Sequence, residues 1–311
     1  MEQTNPKYAA YIQILREELV PAMGCTEPIA IAYGAAKGRE VLGKLPDQIT
    51  VEASGNIIKN VKSVVVPNTG GLRGIEAAAA AGAVAGQAGL LLEVISQVTP
   101  EEQGEIRAYM REHPVQVEFL DSGLVFDIQI TLRGGEDVAR VRIANYHTNV
   151  IHIERNGEVL LDLPVETDDE SGLTDRSLLT MIDIYDFAQT VDLDDVREII
   201  GRQIEYNMEI SQEGLTHSYG ANIGQVIRAN SHPNDSFARA KSAAAAGSDA
   251  RMGGCELPVI INSGSGNQGM TASVPVIVYG RDIGVSEDRL YRALVLSNLI
   301  TIHQKTRIGR L

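Results

Sequence analysis

Residues 125–162 read VFDIQITLRGGEDVARVRIANYHTNVIHIERNGEVLLD, and this stretch decides the fold class. Phe126, Ile128, Ile130 and Leu132 alternate with Val125, Asp127, Gln129 and Thr131. Ala139, Val141 and Ile143 alternate in the same way with Arg140 and Arg142. Period two is the signature of half-buried strands. Ile151 and Ile153 lead to Asn156-Gly157 and then to Val159 and Leu161. Asn-Gly between alternating runs predicts a tight hairpin, because both central residues of a type I′ turn need positive φ. Residues 115–161 are therefore predicted to form an antiparallel meander.

Helical spacing dominates on both sides of the meander. On the N-terminal side, Tyr8, Tyr11, Ile12, Leu15 and Leu19 predict a first helix. Thr26-Glu27-Pro28 reads as a helix start, with a capping hydroxyl, an early acid and a proline in the first turn. Short extended pieces follow at 49–53 and 64–66, then a small-residue helix over 74–94 and a surface helix over 100–112. After residue 162 comes a break, PVETDDESG at 164–172. Its Glu166, Asp168, Asp169 and Glu170 read as a solvated linker or as a cation site. Helices are predicted beyond it over 175–191, 193–211, 219–228, 235–250 and 286–306. The fold class is α+β: a mixed α/β domain with an antiparallel meander over 1–165, followed by a mainly helical part over 166–311.

Composition narrows the function. The 311 residues carry a net charge of −14, which repels phosphate backbones and anionic lipid, so neither nucleic acid nor membrane is an expected partner. Apolar residues make up 44 %, enough for a normal core, but there is no Trp and there are only four Phe. The core must be built from small aliphatic side chains on closely packed helices. Two cysteines, Cys25 and Cys255, exclude a disulfide scaffold. The polar N-terminus does not resemble a signal peptide, and no apolar run is long enough for a membrane span. A cytoplasmic protein is expected.

Five segments carry chemistry-bearing residues. Pro21-Ala22-Met23-Gly24-Cys25-Thr26-Glu27-Pro28 puts a thiol in the cap region of a helix, where the dipole favours the thiolate; a small buried capping residue is the other reading. Asn262-Ser263-Gly264-Ser265-Gly266-Asn267-Gln268-Gly269 offers hydroxyls, amides and glycines that let a backbone approach an anionic ligand, or else it is a structural turn. Ser54-Gly55-Asn56-Ile57-Ile58-Lys59-Asn60, together with Pro67-Asn68-Thr69-Gly70-Gly71, places a lysine and several amides between extended segments. His147 is expected at the entry to a strand, five residues before His152, a spacing that points the two to opposite faces. Arg251 either grips a carboxylate or pairs with Asp249. Cys255, in an apolar setting, reads as a small core residue.

PAMGCTEP, SGNIIKN, VPNTGG, HTNVIHIE, ISQEGL, SDARMGG and NSGSGNQGMTASVPV occur in this order between residues 21 and 279. Taken together they resemble the iron–sulfur L-cysteine desulfidases, relatives of the catalytic chain of bacterial iron–sulfur L-serine dehydratases. The resemblance implies β-elimination on a [4Fe–4S] cluster held by three cysteines, with an open iron as Lewis acid and with pyruvate, ammonia and sulfide as products. It implies Cys25 as one cluster ligand. Lys59 and His147 are the candidate α-proton bases. Asn56, Asn60, Thr69, Arg251, Ser263, Ser265 and Asn267 would contact a small amino-acid substrate. The two other cluster cysteines are expected after the helix at 286–306, and the sequence reaches Leu311 without them. The chain is therefore expected to be incomplete at its C-terminus, without a stable cluster of its own and inactive alone. A homo-oligomer or a C-terminal segment supplied in trans would be its partner. The alternative is a non-catalytic protein that binds a small amino acid.

Overall fold

The computed structural model describes residues 1–165 and 173–306. The acidic run at 166–170 lies outside the described residues. The chain forms two compact units: unit 1 joins Met1–Ala22 with Glu170–Leu311, and unit 2 is Met23–Asp169. Its class is α+β, with a mixed sheet in unit 2 and mainly helices in the C-terminal part.

Unit 1 begins with α1 (Pro6–Glu18), capped by the Asn5 side chain, and with β1 (Pro21–Met23), whose first two residues belong to it. Unit 2 then runs through α2 (Thr26–Leu42), β2 (Gln48–Ala53), α3 (Gly55–Val61), α4 (Gly74–Ala85) and α5 (Pro100–Glu112). Five strands follow: β3 (Val115–Phe119), β4 (Asp127–Gly134), β5 (Asp137–Ala144), β6 (Val150–Arg155) and β7 (Glu158–Asp162). The sheet order is β3-β2-β4-β5-β6-β7. β4 to β7 form the expected antiparallel meander. β3 does not join it: β2 lies between β3 and β4 and pairs with β3 in parallel. A parallel pair needs a crossover connection, and the helices between β2 and β3 supply it.

The Asn156-Gly157 turn has φ of +52° and +84°, as a type I′ hairpin requires. A Cβ on Gly157 would meet nothing within 4 Å. Gly157→Ala therefore isolates the backbone penalty, and urea unfolding should show a loss of about 1–2 kcal/mol.

α2 is buried nearly all round. Ile29, Ala30, Ile31, Ala32, Ala35 and Ala36 are fully buried. A Cβ on Gly34 would lie 2.8 Å from Ile130 Cδ1, and one on Gly38 would lie 2.2 Å from Leu132 Cδ1, so the sheet presses on one face of the helix. On another face α4 crosses at Gly82, where a Cβ would stand 2.0 Å from the Ala32 carbonyl oxygen. The small-residue core expected from the composition takes this form. α4 stops at Ala85, earlier than its Ala-rich sequence predicts. Gly86 is extended, and a short 3₁₀ segment at Ala88–Glu93 follows, broken at Leu91 with φ +50°.

The chain re-enters unit 1 through α6 (Met181–Thr190), α7 (Arg197–Thr216), α8 (Ile223–Ala229), α9 (Ser236–Met252), β8 (Pro258–Ile260), α10 (Gly266–Asp282) and α11 (Glu287–Lys305). Its apolar core joins Tyr8, Tyr11, Ile14 and Leu15 of α1 to Ile184 and Phe187 of α6 and to Leu294 and Leu299 of α11. Phe187 meets both Tyr8 and Tyr11 edge-on at 5.3 Å. The phenol groups stay satisfied: Tyr8 Oη donates to Asp195 Oδ2 at 2.7 Å and Tyr11 Oη to the Leu178 carbonyl at 2.9 Å. α10 is not predicted by the sequence reading, which took its first residues as a loop. Among the described residues no helix is long and apolar enough to cross a membrane.

Candidate functional site

In unit 2, Gly24 (φ +58°) turns the chain into α2, and a Cβ there would lie 2.3 Å from Pro67 Cγ. The Pro67–Gly71 loop is thus packed against the approach to Cys25. Cys25, not Thr26, is the N-cap of α2; it is buried and makes no side-chain capping bond. Its Sγ donates to Glu27 Oε2 at 2.9 Å, and Thr26 Oγ1 donates to the same oxygen at 3.3 Å. The other Glu27 oxygen accepts from Asn60 Nδ2 at 3.4 Å. Glu27, which the sequence reading assigned only to the helix start, therefore ties Cys25 to the SGNIIKN segment.

That segment, expected between extended pieces, forms the helix α3 with Ser54 as N-cap. Asn56, Lys59 and Asn60 are exposed on it. The burial that a base role for Lys59 invokes is not supplied by the residues around it. Thr69 is fully buried and donates its hydroxyl to the Val66 carbonyl at 2.7 Å. Arg107 of α5 holds the same loop by donating to the carbonyls of Thr69 (3.2 Å) and Gly70 (2.6 Å). His147 lies in the turn that leads into β6, as expected, and it is buried edge-on against Phe126 at 4.8 Å. His152, on β6, is bound at Nδ1 to Asp162 Oδ1 at 3.0 Å.

In unit 1, the Asn262–Ser265 segment is a tight turn. Asn262 and Ser265 exchange backbone hydrogen bonds of 3.1 Å, and Ser263 and Gly264 carry φ of +48° and +80°. A serine in the left-handed region is strained, and buried amides hold it there. Ser263 Oγ donates to Asn262 Oδ1 at 3.0 Å. Asn262 Nδ2 donates to Asn298 Oδ1 at 2.9 Å, and Asn298 Nδ2 donates to Gln203 Oε1 at 2.7 Å. Asn207 Nδ2 reaches Ser273 Oγ at 2.9 Å, and Asn207 Oδ1 accepts from Ile260 N at 2.8 Å. Gln203, Asn207, Asn262 and Asn298 are all fully buried. A satisfied buried network of this kind fixes one geometry. The sequence reading missed Gln203, Asn207 and Asn298. The available signal was their placement on buried helix stripes, since Gln203 and Asn207 sit in the same stripe as Ile199, Ile200 and Ile210.

Ser265 caps α10, accepting from Gln268 N at 3.4 Å. Arg251, at the end of α9, is 2 % exposed and donates from Nη1 to Asn267 Oδ1 at 3.1 Å. Asp249 does not pair with it: its carboxylate accepts from Gly224 N at 3.0 Å. Arg251, Ser265 and Asn267 are therefore brought together at the start of α10, next to the Ser263 turn. Cys255 is buried, and burial pushes its thiol pKa up. Burial also raises the nearby Tyr219 phenol, which donates to Glu213 Oε1 at 2.7 Å.

Residues 89–311 match the serine dehydratase alpha chain family. A UPF0597 protein of Desulfitobacterium hafniense (strain Y51) is 56 % identical over 311 residues, which cover 100 % of this chain and 72 % of that protein. A UPF0597 protein of Treponema denticola is 48 % identical over 316 residues, covering 100 % of this chain and 73 % of its own. One from Lachnoclostridium phytofermentans is 50 % identical over 304 residues, covering 98 % and 72 %. No solved structure matches the chain.

Proposed function

Because the chain belongs to the serine dehydratase alpha chain family, we propose that it forms the greater part of a cytoplasmic carbon–sulfur lyase that degrades L-cysteine, and L-serine by the same route. The α-proton is lost to a base and the β-substituent leaves as sulfide or water. The resulting aminoacrylate tautomerises to the imine, which takes up water to give pyruvate and ammonia. The observation that carries the reading is the setting of the buried Cys25 in unit 2: its thiol bonds Glu27, Glu27 takes Asn60 of α3, and the Pro67 loop packs against the neighbouring Gly24.

The cluster that the resemblance implies does not fit the residues of this chain taken alone. It asks for three thiolates, and the sequence has two cysteines. Among the described residues no three His, Cys, Asp or Glu side chains are grouped to hold a metal. Cys25 is the one ligand that the resemblance assigns within these 311 residues.

The chain's own residues bind and orient. Within unit 1, Arg251, Ser263, Ser265 and Asn267 would hold the substrate carboxylate and amino group. Lys59 or His147 takes the α-proton; the imidazole has the ordinary pKa nearer neutrality. Replacing the true base by Ala should cost about 10²–10⁴-fold in kcat and leave the cluster absorbance intact, and if both variants keep turnover neither residue is the base. The wider test is anaerobic iron–sulfide reconstitution of this chain and of a longer form that adds cysteine-bearing sequence after residue 311, followed by sulfide and pyruvate assays. A brown cluster and turnover in the longer form alone are expected. Turnover in neither would favour the second reading, an amino-acid-binding protein, to which the count of two cysteines also points.

A further inference from the structure

Three arginines of unit 1 are anchored in different ways. Arg176, as deeply buried as Arg251, is paired with Glu17 and Glu18, and Arg239 is paired with Asp282. Among the described residues Arg251 has no such partner. Its hydrogen bonds go from Nη1 to the Asn267 amide oxygen at 3.1 Å and to the Met252 thioether at 3.4 Å. Among the described residues its buried Nε has no hydrogen-bond partner. A guanidinium stays charged at any physiological pH, and a buried charge without a counter-ion costs several kcal/mol. The fold keeps one here, two residues from an aspartate that it uses elsewhere.

The cation is aimed at a helix terminus. A Cβ on Gly266, the first residue of the 17-residue α10, would lie 2.2 Å from Arg251 Nε and 2.7 Å from Cζ. Only glycine lets the guanidinium lie against that backbone. The first N–H groups of a helix lack intrahelical acceptors and carry the positive end of its dipole. Of these, the Ser265 hydroxyl takes the N–H of Gln268. Because Asn267 and Met252 both engage Nη1, the Nε–Nη2 edge is left. That edge is a planar pair of donors matching the two oxygens of a carboxylate.

We infer that the Nε–Nη2 edge of Arg251, over the N-terminus of α10, is a carboxylate seat complete within unit 1, which takes small 2-amino and 2-oxo monocarboxylates without any metal. The inference rests on reading this part of unit 1 as substrate-holding, and it adds that the keto-acid product shares the seat. Pyruvate then competes with L-serine and L-cysteine.

Isothermal titration of the 311-residue chain, with no cluster added, tests the seat. Pyruvate and L-serine should bind competitively, and L-serinamide, which lacks the carboxylate, should not bind. Arg251→Met should weaken pyruvate at least tenfold, and Arg251→Lys should do nearly as much because an ammonium lacks the planar fork. Circular dichroism melting reports whether these variants fold. Gly266→Ala supplies the second arm, because its Cβ displaces the guanidinium while the charge remains; it too should weaken pyruvate binding. Wild-type affinity in Arg251→Met, equal binding of L-serinamide, or tighter binding of inorganic phosphate than of pyruvate would overturn the seat. The lyase reading fails separately: carboxylate binding with no turnover in the reconstituted longer form removes the lyase and keeps the seat. Turnover with an unchanged KM in Arg251→Met removes the seat and keeps the lyase.

Discussion

Arg176→Met should lower the stability of unit 1 by about 3–5 kcal/mol, the cost of removing one partner from a buried ion group. The Arg176 side chain is 1 % exposed and binds Glu17 Oε2 at 2.5 Å and Glu18 Oε1 at 2.8 Å. Glu18 is itself 2 % exposed, so the variant leaves one carboxylate buried beside another with no cation between them. By contrast Arg197–Glu287, at 47 % and 68 % exposed, is a surface pair worth about 0–1 kcal/mol. Urea unfolding at pH 7 measures the difference, and a loss under 1 kcal/mol would show that the group is dispensable. Acid supplies a second reading. Burial alone would raise the Glu17 carboxyl, but hydrogen bonds from Arg176, Thr174 and Gln13 outweigh it and hold the pKa below its ordinary 4.5. A depressed carboxylate stabilises the fold above its unfolded pKa, and that contribution fades as pH falls through the lower folded value. The gap between wild type and Arg176→Met should therefore narrow below about pH 4.5.

Gly82→Ala should destabilise unit 2 by about 2–3 kcal/mol, against the direction that helix propensity alone gives. Exchanging an interior helical Gly for Ala gains up to ~1 kcal/mol. At Gly82 the new Cβ would lie 2.0 Å from the Ala32 carbonyl oxygen and 2.7 Å from Ala32 Cα. These are backbone atoms of α2, so relief requires one helix to move off the other, and overpacking of this kind costs about 1–3 kcal/mol or more. Gly104→Ala is the control. It sits in exposed α5 with nothing within 4 Å of its would-be Cβ. It should gain about 0.5–1 kcal/mol. Thermal melts of the two variants should move in opposite directions; a shared upward shift would disprove the crowding at Gly82.

How much of this was legible in the sequence depends on the range of the interactions that decide it. The meander was readable because alternation and Asn156-Gly157 are local signals. β3 went astray because its partner, β2, is more than 60 residues away, and only the helices between them make the pairing parallel. α10 was hidden by its composition: Gly266, Gly269, the interior Pro275 and a run of β-branched residues are poor helix formers. Packing overrides them, as at Gly269, where a Cβ would lie 2.1 Å from the Ile260 carbonyl oxygen. Among the site residues, Cys25 at a helix cap and the Ser263 turn were visible from capping and glycine patterns. The amides of Gln203 and Asn298 were not, because their meaning comes from each other, 95 residues apart. Whether Arg251 would pair with Asp249 could not be decided by adjacency, since Gly224 of α8 claims that carboxylate.

The division of unit 1 into two sequence segments sets an order of events during synthesis. Unit 2 is one continuous stretch, Met23–Asp169, and every partner of its sheet has been translated once β7 leaves the ribosome. α1 has no such opportunity. Its Tyr8, Tyr11, Ile14 and Leu15 belong to a core completed by Leu294, Leu299 and Ile302. α1 must wait, with its apolar stripe exposed, until α6 emerges, and its core is complete only with α11. Chaperone dependence should therefore concentrate at the N-terminus. It should ease when α6 brings Phe187 to Tyr8 and Tyr11, and end when α11 completes the core.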